Sequence, residues 1–244
     1  MRLDLDIYMQ NAVDCNNGNI VYGEVLVRGF NGINGAPDII KYIESNKLFV
    51  EFDYSIIKAT VQYIEETGFS SYPVAVNIMD KTLEKEGIAD LILGEIKQHN
   101  INGTKIVIEV NENTDIHNNT VVDNIMRLRS GGVLIGVDDL GYGKTTIETM
   151  LILKPDIIKV AGELFREESI TNEQVMQIIE SLLRISNAFG IDPIIEGVEN
   201  ERQLNDVRQL GYKYVQGYIY NRPYQLFEVK KGLIQNKKKI WKRD

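Results

Sequence analysis

The chain is poor in the residues that most often announce a site. Its 244 residues include one cysteine, Cys15, two histidines, His99 and His117, and five prolines. A single cysteine permits no internal disulfide and agrees with a reducing compartment, so the expected location is cytoplasmic. Two histidines in polar surroundings argue against a zinc site and against Ser-His or Cys-His nucleophilic chemistry. No apolar stretch reaches the roughly 18 residues needed to span a bilayer, and the start Met1-Arg2-Leu3-Asp4-Leu5-Asp6 lacks a signal-peptide apolar region. Positive charge is scarce too. With 27 Lys and Arg against 35 Asp and Glu, the net charge is -8, which disfavours binding to a nucleic-acid polymer. A small anionic substrate remains compatible where cations reverse the sign locally. The one basic region is 230–244, with Lys230, Lys231, Lys237, Lys238, Lys239, Lys242 and Arg243 around Trp241. It reads as a solvated terminal helix or tail, with contact to a membrane surface the less favoured reading.

Hydrophobic residues make up 43% of the chain, enough for a full-size core in one domain spanning 1–244. Leu3 to Val13 and Asn19 to Val27 alternate as strands, and Asn16-Asn17-Gly18-Asn19 between them carries hairpin turn chemistry. The chain therefore opens with an antiparallel pair. Asp38 to Ser45 and Phe52 to Thr67 follow with helical spacing. Short apolar runs then alternate with longer amphipathic ones. Strands are predicted at Pro73 to Ile78, Lys105 to Val110, Val133 to Val137, Asp156 to Val160, Pro193 to Ile195 and Tyr212 to Val215. Helices are predicted at Ala89 to His99, Thr120 to Arg129, Thr146 to Leu153, Glu173 to Phe189 and Arg202 to Leu210. Repeated strand-helix units without a linker predict a single α/β domain, and the length suits a TIM-like (β/α)8 barrel.

Polar residues recur where these strands end. Asn77 ends Pro73-Val74-Ala75-Val76, Glu109 ends Lys105-Ile106-Val107-Ile108, Asp138 and Asp139 follow Val137, and Glu196 follows Pro193-Ile194-Ile195. Lys159 lies in the run after Pro155, and Glu24 and Arg28 lie four apart in the second strand, on one face. Each acid taken singly reads as a helix cap or a solvated strand end. A barrel gathers C-terminal strand ends on one face, so five acids, one amide, one Lys and one Arg would meet there. Oxygen ligands without histidine or cysteine suit hard cations, Mg²⁺ or Mn²⁺. An acid shared by two such cations roughly 4 Å apart is the arrangement of two-metal phosphoesterases.

With these residues in hand, nearly the whole chain resembles an EAL-type cyclic di-GMP phosphodiesterase domain. Glu24-Val25-Leu26-Val27-Arg28 stands where that family has Glu-Ala-Leu-x-Arg. Val76-Asn77-Ile78 resembles its Asn strand, Ile108-Glu109-Val110-Asn111-Glu112 its Glu-x-x-Glu strand, and Asp138-Asp139-Leu140-Gly141-Tyr142-Gly143 its Asp-Asp-Phe-Gly loop. Lys159-Val160-Ala161 is similar to Lys-Ile-Asp, Glu196-Gly197-Val198-Glu199 to Glu-Gly-Val-Glu, and Val215-Gln216-Gly217-Tyr218 with Arg222-Pro223 to the closing motif. The resemblance implies a barrel with one antiparallel strand near the N-terminus, and hydrolysis of cyclic di-GMP to linear pGpG with two Mg²⁺ or Mn²⁺ per active site. It implies Glu24, Asn77, Glu109 and Asp138 around the first metal and Asp138, Asp139 and Glu196 around the second. Lys159 and Gln216 would orient the attacking water, with Glu196 beside them, and Arg28 would grip a phosphate. Glu112 would brace the loop after Asp139, through which the family also dimerises. Tyr8-Met9-Gln10-Asn11 loosely resembles the family's Tyr-Gln-Pro strand, which carries Gln10 over as a substrate contact.

The chain departs from the family pattern at Val25, Leu140 and Thr145-Thr146, all modest changes of volume, and at Ala161, where the family has Asp. Alternation puts position 161 on the face of Lys159, so losing that carboxylate is expected to lower turnover without removing a metal ligand. The competing reading is a catalytically weak domain that acts as a cyclic di-GMP receptor or a protein-binding module. A barrel glycosidase explains a pair of acids but not Asn77, Lys159 and adjacent Asp138-Asp139.

Overall fold

The computed structural model describes residues 4–69, 71–111, 113–141, 147–169, 171–230 and 233–236. The chain opens with β1 (Leu5–Asp14) and β2 (Ile20–Phe30), an antiparallel hairpin. Asp14 Oδ1 accepts from the Asn16 N–H at 2.8 Å, and Gly18 takes φ 72, the left-handed conformation that closes the turn. After the short β3 (Ile33–Asn34) come α1 (Ala36–Asn46) and α2 (Phe49–Thr67). The alternating part follows: β4 (Val74–Asn77), α3 (Asp80–Leu83), α4 (Ile88–Gln98), β5 (Ile106–Asn111), α5 (Asn119–Ser130), β6 (Leu134–Leu140), α6 (Ile147–Leu153), β7 (Ile157–Val160), α7 (Asn172–Ala188), β8 (Ile194–Ile195), α8 (Glu201–Leu210) and β9 (Tyr214–Gln216). A second hairpin closes it, β10 (Tyr224–Lys230) with β11 (Leu233–Asn236).

Eight strands form the ring β1-β2-β4-β5-β6-β7-β8-β9, with β9 returning to β1. All neighbours within it are parallel except β1, which runs antiparallel to both β2 and β9. The expected barrel with one antiparallel strand is thus observed. One edge of β1 is shared: Ala12–Asp14 pair with β9, and Leu5–Met9 pair with β10. Every expected strand and helix is present. Among the strands and α-helices of the described residues, four were not anticipated: β3, α3, β10 and β11. Elements as short as α3 leave no period in the sequence. The basic stretch 230–244, expected as a helix or tail, begins in this hairpin, with Lys230 ending β10 and Leu233–Asn236 forming β11; residues 237–244 lie outside the described residues.

The helices bury their apolar stripes on the outside of the barrel, where Ile57, Ile92, Ile108, Ile125 and Val137 are fully enclosed. Burying side chains of this size stabilises by roughly 1.5–3 kcal/mol each. Caps set the helix starts. Thr171 and Gln174 form a reciprocal capping box on α7, and Asn200 accepts from the Gln203 N–H at the start of α8. The start of α3 is capped from another helix, since Asp53 of α2 accepts from the Met79 N–H at 2.8 Å and from the Thr82 hydroxyl at 2.6 Å. Among the described residues, no helix is long and apolar enough to cross a membrane.

Inside the barrel lies one layer to which every strand of the ring contributes: Ala12, Tyr22, Ala75, Val107, Leu134, Ile157, Ile194 and Tyr214. This layer is the floor on which the polar residues stand.

Candidate metal-binding site on the barrel's C-terminal face

Strand alternation places the residue two positions beyond each floor residue on the same inward face. Those positions are Glu24, Asn77, Glu109, Gly136, Lys159, Glu196 and Gln216, with Gln10 two positions back on the antiparallel β1. One register step thus converts an apolar floor into a polar ring. The exception is Gly136. A Cβ there would lie 3.0 Å from Glu109 Cγ, so the missing side chain leaves room for Glu109, and β6 delivers its carboxylate one step later, at Asp138.

Regular alternation would send Asp138 and Asp139 to opposite faces. Instead, the β6–β7 register shifts between Val137 and Leu140, and Asp139 takes φ 60. This irregularity re-aims the second carboxylate, in a backbone conformation that residues other than glycine adopt at some expense. Asp138 and Asp139 then both face Glu196: the three offer oxygens within 4.8 Å of one another. Glu24, Glu109 and Asp138 form a second such group, so Asp138 is common to both. Asn77 adjoins it, its amide donating to Glu24 Oε1 at 3.1 Å.

The Lys159 ammonium, only 1% exposed, lies among these acids. It is 3.0 Å from Glu24, 3.1 Å from Asp138, 2.8 Å from Glu196 and 3.5 Å from Glu109. Burial opposes its charge, yet the surrounding acids outweigh burial and push its pKa well above the ordinary range. One ammonium does not serve four carboxylates. Burial raises the pKa of Glu24, but Lys159 and hydrogen bonds from Gln216 (2.7 Å), Lys159 and Asn77 outweigh it and hold Glu24 below the usual range. Burial pushes Glu109 well up, and Glu24 and Asp138 add to the shift. Burial likewise raises Asp138, and it lifts Glu196 to about 8 with help from Asp138 and Glu24. Glu109 Oε2 and Gln216 Oε1 are buried without a hydrogen-bond partner. Oxygen donors in excess, raised carboxyls and an unpartnered carboxylate oxygen together describe a site short of positive charge, which fits divalent cations.

A cavity of about 180 Å³ opens beside Glu196 and Asp139, lined also by Gln10, Gln216, Tyr218 and Arg166. The Arg222 guanidinium lies 4.4 Å from the centre of the exposed Tyr218 ring. Gln10 donates to the Asn221 carbonyl at 3.2 Å. Arg28 is half-buried in β2, donates to the Val27 carbonyl at 3.5 Å, and forms no ion pair among the described residues. Glu112 and the segment 142–146 lie outside the described residues. Ala161 is fully buried and begins the 3-10 turn Gly162–Arg166, to which it brings no side-chain cap. That turn presses on the next strand's end, since a Cβ on Gly162 would come 2.7 Å from Gly197 Cα. Backbone contact this close brings Lys159 and Glu196 side by side. Tyr22, absent from the sequence-predicted site, donates to Glu109 Oε1 at 2.5 Å. Its position two residues before Glu24 was the available signal.

Comparison with known proteins accords with this geometry. The EAL domain family model matches residues 2–223. The chain belongs to the EAL domain family. Its curated relatives include the probable cyclic di-GMP phosphodiesterase PdeA of Escherichia coli (strain K12), 28% identical over 215 residues that cover 84% of this chain and 29% of that protein. This EAL chain thus spans under a third of that relative's length. Among solved structures, the PaMucR phosphodiesterase in complex with c-di-GMP superposes with a TM-score of 0.82 at 20% identity, covering 92% of this chain and 98% of the other. BlrP1 of Klebsiella pneumoniae, in a manganese and cyclic di-GMP complex, gives a TM-score of 0.80 at 21% identity over 91% of this chain and 56% of the other. Such likeness at low identity shows the shared fold.

Proposed function

We propose that this EAL domain hydrolyses cyclic di-GMP to linear pGpG by a two-metal mechanism. The observation that carries the reading is Asp138, which belongs to both carboxylate groups while Lys159 lies beside both. Glu24, Asn77, Glu109 and Asp138 would hold one Mg²⁺ or Mn²⁺, and Asp138, Asp139 and Glu196 the other. The cations would make water a nucleophile at neutral pH and offset charge on the phosphodiester. The manganese complex of BlrP1 and the name of the PdeA relative support this assignment.

The chain's own residues supply orientation. Lys159, held by Glu196 and Asp138, and Gln216, held by Glu24, would align the attacking water against the phosphorus, and both are almost fully enclosed. Arg28 offers a planar fork to a phosphate oxygen, and Gln10 lines the adjoining cavity, where a base would lie. Glu112 would brace the loop after Asp139. A homodimer is expected through the same region, where Ile147 and Leu151 of α6 are 61% and 58% exposed. The buried free Cys15 suits a cytoplasmic location. Purified protein incubated with cyclic di-GMP in Mg²⁺, in Mn²⁺ and in chelator, with products resolved by chromatography, tests the reading. Metal-dependent pGpG is expected. Intact nucleotide that nevertheless binds would move the assignment to the receptor reading, which Ala161 favours.

A further inference from the structure

We infer that Tyr22 is a positioning residue for one of the two cation sites: its phenol fixes one oxygen of Glu109 so that the other is presented to the metal. The inference rests on the two-metal reading above and concerns a residue outside the ligand set. Tyr22 and Glu24 share the inward face of β2 one step apart, so the phenol rises from the floor layer toward the ring of acids. Its hydroxyl donates to Glu109 Oε1 at 2.5 Å, while Glu109 Oε2 is enclosed and has no hydrogen-bond partner. A buried carboxylate oxygen left without a donor is costly unless a cation takes it. With Oε1 held by Tyr22, the hydrogen bond opposes rotation that would exchange the two oxygens, and Glu109 contributes an oxygen to the Glu24, Glu109 and Asp138 group.

The surroundings are shaped for this ring. Ala12 and Ala75, both fully buried, stand beside Tyr22 in the floor layer, where larger side chains would compete for its volume. A phenol is ordinarily neutral at physiological pH, its usual pKa being about 10, so Tyr22 is available as a donor. A neutral donor orients the carboxylate without adding a competing positive charge. Lys159, at 3.5 Å from Glu109, is too distant for a strong hydrogen bond and is shared with three other acids. Tyr22 is therefore the side chain that determines how Glu109 faces the site.

Calorimetric titration of the metal-free protein with Mn²⁺ tests this without reference to turnover. Wild type is expected to bind two ions. Tyr22→Phe keeps the ring, so its metal-free melting temperature should stay within a few degrees of wild type, while one of the two binding events weakens about 10- to 100-fold, the usual effect of losing an outer partner of a ligand. The event assigned to Asp138, Asp139 and Glu196 should change less, because the Tyr22 hydroxyl donates to Glu109 and to none of these three. In a Glu109→Gln background the same substitution should add little. Equal Mn²⁺ affinities in wild type and Tyr22→Phe would overturn the inference. So would equal weakening of both events, or a Tyr22→Phe protein that does not fold, since either assigns the phenol to general stability. A wild type that binds no Mn²⁺ would instead defeat the two-metal reading itself.

Discussion

Lys159 and Glu24 are separated by 135 positions in the chain and by 3.0 Å in space. The pair is buried, and the same ammonium reaches Asp138 and Glu196. Among the described residues it is the cation that pairs with Glu24, Glu109, Asp138 and Glu196, so its removal is expected to affect stability as well as the proposed chemistry.

Lys159→Met tests both roles. The stem volume is retained and the charge is lost, leaving buried carboxylates uncompensated; loss of one partner from such a cluster costs roughly 3–5 kcal/mol. The metal-free variant should melt well below wild type, and Mn²⁺ should recover more stability in the variant than in wild type. Hydrolysis should fall by about 10²- to 10⁴-fold, the range for a removed proton-handling group. Equal melting temperatures without metal would contradict the counter-ion role.

Asp138 is the residue common to both carboxylate groups. Asp138→Asn should therefore abolish pGpG formation and remove most of the rise in melting temperature that Mn²⁺ produces, because binding to the native state is what raises it. Turnover at the wild-type rate would remove Asp138 from the mechanism.

Asp53 lies outside the site and makes stability depend on pH. Burial lifts its pKa to about 7, against the opposing hydrogen bonds from Thr82 and Met79. Folded protein then holds a proton there that the unfolded chain releases near pH 4. Stability is fully present below about pH 4 and declines as pH rises through 7, by an amount on the order of 4 kcal/mol. Asp53→Asn can keep both accepted hydrogen bonds without titrating. Urea unfolding of both proteins between pH 4 and 8 should show the Asn variant gaining on wild type as pH rises; parallel curves would show that Asp53 does not titrate in this range.

Ala161 begins the turn that follows Lys159, in a cap position with no side-chain acceptor. Ala161→Asp should raise kcat by placing a carboxylate near Lys159. A lower or unchanged kcat, measured with saturating cyclic di-GMP and Mn²⁺, would show that the alanine does not limit the enzyme.

Much of this protein was legible in its sequence because barrel strands are short, apolar and regularly spaced, and because their ends carry the unusual residues. The eight ring strands, the opening hairpin, and the set Glu24, Asn77, Glu109, Asp138, Asp139, Lys159, Glu196 and Gln216 all follow from local pattern and resemblance. What local pattern lacks is the third dimension. Alternation alone would have put Asp138 and Asp139 on opposite faces; a register shift and the φ of 60 at Asp139 bring them together. The strand pattern assigns no role to Gly136, and only the tertiary structure shows that a Cβ there would lie 3.0 Å from Glu109 Cγ. Nothing in the local pattern gives Tyr22 a partner, and closure of the barrel places its hydroxyl against a residue 87 positions away. Sequence determined which chemical groups are available and on which strands they ride, since those depend on neighbours along the chain. Tertiary structure decided which groups touch and which oxygen stays free, because both depend on ring closure, strand register and the space left by small residues.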